Sequence, residues 1–250
     1  MPRTPTLMLT AALAAVCCCA GASARAQQPP ARDPSDALRK SLRAAEQDAA
    51  LAEELYQQGE ALVQKGRADA SAAARTYGEA LRLYLSLYTE KSLPKPSPGR
   101  GEEYRALMRE RLRHAPECVE RYLRLVGGVT EFERSQLEAF RGQALGLREE
   151  GGWLAVYTGS EVDTRAVITY KPEPGFTEEA RRENVTGVVR LRAVLASDGA
   201  VRYVLVIKGL PKGLSEACVA AARGIKFTPA VREGRPVSQF VVLEYNFNTY

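Results

Sequence analysis

Apolar residues recur at spacings of three and four up to about residue 150, and at every second position in three segments beyond it. The first period belongs to amphipathic helices and the second to half-buried strands. A chain that keeps to the first period and then brings in the second folds as a helical part followed by a sheet-bearing part. The expectation is therefore α+β, and 250 residues are enough for two modest domains. The pattern divides the chain into a helical domain over 34–150, a connector over 151–171 and a small mixed domain over 172–250.

In the helical part, Leu38, Leu42, Ala45, Ala49, Ala52 and Tyr56 form one stripe. An alanine-rich stripe buries little area per turn, so this helix needs neighbours. Leu55, Gly59 and Leu62, followed by Ala73, Tyr77 and Ala80, resemble one tetratricopeptide-like hairpin, with small residues where two helices approach. A plain antiparallel hairpin fits equally well. Lys91–Gly101 holds three prolines and two glycines and reads as a loop. Tyr104, Leu107, Met108, Leu112, Ala115, Val119, Tyr122 and Val126 make the next helical face, in which Pro116 either starts a new helix or kinks the old one. His114, the single histidine, is expected on a solvent-facing helix surface. A last helix runs from about Glu131 to Glu149, before Gly151-Gly152.

The second part opens with an extended, proline-containing piece and a short helix capped by Thr177, with Glu178 and Glu179 in its first turn. Val189, Leu191, Ala193 and Leu195 then alternate on one strand, and Val201, Tyr203, Leu205 and Ile207 on the next. Asp198-Gly199 between them is a strong hairpin signal. Leu214, Cys218, Ala221, Ala222 and Ile225 mark a helix face that packs on the sheet. Lys226–Val237 reads as a return loop, and Ser238–Tyr250 as a terminal strand with Val241, Leu243, Tyr245 and Phe247 on one side. The result is two helices and a three-stranded antiparallel sheet. Cys118 and Cys218 both fall on or beside buried stripes, so free thiols are favoured over a disulfide between them.

From Pro172 onward the order of features resembles the C-terminal domain of the TonB family of periplasmic energy transducers. The features are Pro174 and Phe176 at the entry, Gly187 opening the first strand, and the Asp198-Gly199 hairpin. An alanine-rich helix leading to Phe227-x-Pro229, the Gly234-Arg235-Pro236-Val237 loop and the closing strand complete them. The resemblance implies that the last strand is a sheet edge, to which a short segment of an outer-membrane transporter adds as one more strand. An uncovered edge is a liability unless it is used, and strand addition uses it. The implied contact residues are Pro174, Phe176, Phe240, Val241, Val242, Leu243, Glu244 and Tyr245. Thr177 stands where the family usually has a proline beside its aromatic.

Residues 1–26 read as a secretory signal peptide ending in Ala24-Arg25-Ala26, with an uncleaved signal anchor as the alternative. A lipid anchor on Cys17 would want a small residue at position 16, where valine stands. The implied location is the periplasm. A retained N-terminus would add an inner-membrane anchor and contact with a motor complex. Without Arg3 and Arg25 the 35 basic residues fall to 33 against 30 acidic ones, too even a balance to argue for nucleic acid. No nucleophile–base pair, phosphate loop, metal-ligand spacing or cofactor motif is legible, which points away from an enzyme. Two functions remain open: a transport protein docking a transporter strand, and a periplasmic adaptor without energy coupling. Homodimerisation through the same edge is a third use of it.

Overall fold

The computed structural model describes residues 34–66, 69–89, 100–149 and 154–248. The signal segment with Cys17, most of the proline-rich loop, Gly151-Gly152 and Trp153 lie outside these. Among the described residues five helices come first: α1 (Pro34–Lys65), α2 (Ala70–Thr89), α3 (Gly101–Arg111), α4 (Ala115–Leu125) and α5 (Glu131–Arg148). The mixed part follows as β1 (Val156–Tyr157), β2 (Val167–Tyr170), α6 (Glu178–Arg182), β3 (Gly187–Leu195), β4 (Val201–Lys208), α7 (Leu214–Arg223), β5 (Lys226–Thr228), β6 (Ala230–Arg232) and β7 (Arg235–Phe247).

The alanine stripe and the first half of the hairpin are one continuous helix, α1. Its Gly59 lies flat against Tyr77 of α2, where a Cβ would come within 2.6 Å of the ring. The tyrosine is fully buried and its hydroxyl donates to Glu60. Pro116 sits in the first turn of α4 and so starts a helix rather than kinking one. Thr130 and Glu133 close a capping box at the start of α5.

His114 is not solvent-facing. It stands at the N-cap position of α4 with its side chain about a third exposed, stacks on Tyr56 at 4.7 Å and bonds through Nδ1 to Glu53 Oε2 at 2.8 Å. Burial pushes the Glu53 carboxyl up, but bonds from His114, Gln57 and Tyr84 outweigh this and hold it below its ordinary value. Sequence periodicity places a residue on a face and says nothing of a partner 61 positions away.

The three long strands form the antiparallel sheet expected of them, but it is larger than three strands. The order is β1-β7-β3-β4, with β6 paired to β7. The supposed return loop contains β5 and β6, because Glu233 and Gly234 both take positive φ and make a tight two-residue turn into β7. The supposed connector contributes two strands: β1 pairs in parallel with Ser238 and Gln239, and β2 forms a separate ribbon with β5.

The expected single face of β4 is also revised. A bulge at Tyr203 (φ 51°) shifts the register against β3 between Arg192 and Val194. One extra residue inverts every side chain beyond it. Val204 and Val206 therefore face the α7 side, while Leu205 joins the helical core.

The sheet is covered on both sides. Val189, Leu191, Ala193, Leu243, Tyr245 and Phe247 pack with Leu214, Cys218 and Ala222 of α7. On the other side α5 lies against β4. Fully buried Gln143 donates to the carbonyls of Arg192 and Tyr203 and accepts from Tyr88 Oη at 2.6 Å. Gln136 accepts from Val206 N and donates to Val204 O. These amide side chains satisfy backbone groups along β4, which borders the sheet on that side. Cys118 and Cys218 are buried and unbridged.

Candidate partner-docking site

β7 alternates as its sequence suggests. Val241, Leu243 and Tyr245 turn toward α7, Phe240 packs half-buried against the helical core, and Val242 and Glu244 are exposed. The pairing with β3 is unbroken from Gln239 to Phe247. On the opposite side β1 reaches only Ser238 and Gln239. Beyond that point, among the described residues, no strand pairs with the flank of β7 from Phe240 to Phe247.

The direction of the backbone groups follows from one contact. Lys171 Nζ donates to Glu244 O at 2.6 Å, so that carbonyl is turned away from β3. In an antiparallel pair, residues turn their N–H and C=O groups alternately to the two sides. Phe240, Val242, Glu244 and Asn246 thus present theirs to the open flank. Of the six β7 positions implied by the resemblance, three offer backbone there. Val241, Leu243 and Tyr245 spend theirs on β3 and hold the strand in place.

Pro174 and Phe176, seventy residues away in sequence, are brought to the far end of this flank. With Glu173, Asn246, Phe247 and Asn248 they line a shallow cavity of about 190 Å³. The Phe176 ring meets Phe247 edge-on at 5.5 Å. Thr177 accepts from Ala180 N and donates to Lys212 O, tying the start of α6 to the loop before α7. The side chain at this position therefore caps α6 rather than facing the flank.

Two charged contacts border the flank. Arg190 and Glu244 bridge on the face away from α7, with Nη2 to Oε1 at 2.6 Å. On the other face, Lys171 Nζ lies 4.2 Å from the centre of the Tyr245 ring. Burial pushes the Tyr245 phenol up to about 12, and its hydroxyl is buried without a hydrogen-bond partner. Among the described residues no group of three or more His, Cys, Asp or Glu could hold a metal ion.

Sequence reasoning missed Lys171, Glu173 and β1. Lys171 and β1 fall where a connector was expected, and Glu173 in the extended piece just beyond it. The alternation of Val167, Ile168, Thr169 and Tyr170 was the available signal for β2, but a two-residue strand such as β1 leaves none.

Residues 172–249 match the family described as Gram-negative bacterial TonB protein C-terminal, and this domain belongs to it. No curated protein matches the chain.

Proposed function

We propose that this chain, a TonB C-terminal domain carried on a helical body, docks an extended segment of an envelope partner by strand addition along Phe240–Asn246. The partner is an outer-membrane transporter, and the role is transport across the cell envelope. One observation carries the reading: four outward-facing backbone positions on a strand fully supported by β3 on its other side, with no strand of the described residues covering them. Main-chain hydrogen bonds supply affinity in such an arrangement, and alternate side chains supply selection. The family match over residues 172–249 supports both the mode and the setting.

Photocrosslinking from position 242 in the native envelope tests it. The expected product is a covalent adduct with an outer-membrane transporter, abolished by Glu244→Pro, which removes a neighbouring outward donor. An unchanged adduct in the proline variant would move the contact elsewhere.

The adaptor role, without energy coupling, has one observation in its favour. The helical region is fastened to the sheet rather than drawn out as a spacer: Arg105 of α3 donates to Glu161, to Glu149 O and to Val156 O. No helix among the described residues is long and apolar enough to cross a membrane. N-terminal sequencing of protein from the envelope separates the two roles. A start at Gln27 with release by salt alone favours the adaptor, and retention in the inner membrane favours the coupled form.

A further inference from the structure

Four of the eight large apolar side chains exposed among the described residues lie on β2 and on the open flank of β7. Val242 is 55% exposed on β7, and Val167, Ile168 and Tyr170 of β2 are 56%, 36% and 57% exposed. Two contacts show that β2 runs alongside β7. Ala166 N donates to Gln239 Oε1 at 2.8 Å at one end, and Lys171 Nζ donates to Glu244 O at the other. Residues 167–170 therefore lie beside 240–243, in the same direction. No backbone pairing joins the two strands, since β2 pairs with β5 alone. Among the described residues, the contacts that join them come from a glutamine and a lysine side chain at the two ends, which leaves a cleft between. Its far end opens at the cavity lined by Glu173, Pro174 and Phe176.

We infer that β2 is a second wall of the docking site and Lys171 the latch that holds the cleft closed when it is empty. This rests on the strand-addition reading. An added strand takes the hydrogen bond at Glu244 O that Lys171 now fills, so the ammonium must leave before the backbone zips past that point. The incoming segment has side chains on both faces, and those near β2 meet Val167, Ile168 and Tyr170. The occupant fitted to this cleft is thus an extended segment with apolar side chains. Three exposed apolar residues on a strand of four residues are left uncovered by the described residues, and continuity with the β7 flank names what covers them.

The test uses the full chain, with photocrosslinkers placed separately at positions 168 and 242. Both positions are expected to capture the same transporter. The double variant Val167→Ser/Tyr170→Ser should lower the yield from position 242 by about tenfold or more, and Lys171→Met should raise it severalfold. The first alters exposed side chains and the second a half-buried one, and an unchanged melting temperature checks that folding is intact. Capture from 242 but not from 168, with yields indifferent to the β2 variants, overturns the second wall and leaves strand addition standing. Capture from neither position overturns strand addition itself. In the free protein the ε-methylene protons of Lys171, seated over the Tyr245 ring, should resonate upfield. An ordinary shift there overturns the latch.

Discussion

Glu161 shows how one residue can tie distant segments together. Its Oε1 accepts from Arg105 Nε at 2.9 Å, and its Oε2 accepts from Thr158 N and Thr158 Oγ1, each at 2.7 Å. Arg105 also packs on the Tyr157 ring, which Arg232 covers from 4.7 Å. Burial alone would push the Glu161 carboxyl up, but the arginine and threonine bonds hold it below its ordinary value of 4.5. A carboxyl depressed in the folded state contributes stability that is fully present above its unfolded pKa. That contribution is lost as the pH falls below about 4.5 and through the folded value. Glu161→Gln should flatten this part of the stability–pH curve and cost about 3 kcal/mol at neutral pH, because Arg105 keeps its charge in a buried site. Urea titrations of both forms between neutral pH and acid check this. The two thiols give a second reading at this scale. Burial raises Cys118, and pushes Cys218 up to about 12. Neither should react with iodoacetamide at pH 8 until the chain is unfolded, which mass spectrometry of the alkylated protein would reveal.

At the scale of elements, the contact of α1 with α2 turns on Gly59. An alanine there gains about 1 kcal/mol of helix propensity. Its Cβ would also fall 2.6 Å from a ring held by burial and by the bond to Glu60. The clash should win, and Gly59→Ala should lower stability by about 1–2 kcal/mol in denaturant unfolding. This pairing was legible in the sequence because a glycine and an aromatic stood at helical spacings in neighbouring segments. So were the Asp198-Gly199 turn, the face of α7 and the alternation along β7, since each is a local pattern with a fixed period. What escaped depends on contacts between remote segments. The bulge at Tyr203 has no signature in a valine-rich run, yet the Gln143 amide secures the carbonyl there from α5. The His114–Glu53 pair spans three helices. Of the docking site, the strand and the aromatic end could be read directly. Lys171 could not, because its meaning comes only from lying beside a carbonyl 73 residues further on.

The whole molecule behaves as one body because its two parts share cores. Leu205 of β4 is buried in the helical cluster, and Phe240 packs against it. Arg192 of β3 lies over the Tyr88 ring at 4.4 Å and donates to Tyr88 O. Gln143 joins α2, β3 and β4 through a buried set of hydrogen bonds. A sheet covered on one face by α7 and on the other by α5 cannot release either cover without exposing apolar surface and orphaning buried polar groups. The full chain should therefore unfold in a single transition, with circular dichroism at helix wavelengths and tyrosine fluorescence tracing one curve. Gln143→Leu, which strands the Tyr88 hydroxyl and two strand carbonyls, should lower the midpoint of that curve without splitting it. Its cost is about 2–4 kcal/mol, from the desolvation of groups left unpaired. Excising residues 172–250 removes β1, the β2 ribbon strand and α5 together. The fragment should bind hydrophobic dye and self-associate where the full chain stays monodisperse, as light scattering at matched concentrations would show. A fragment as stable and monomeric as the full chain would mean that the helical body is a passenger on the sheet and not its second half.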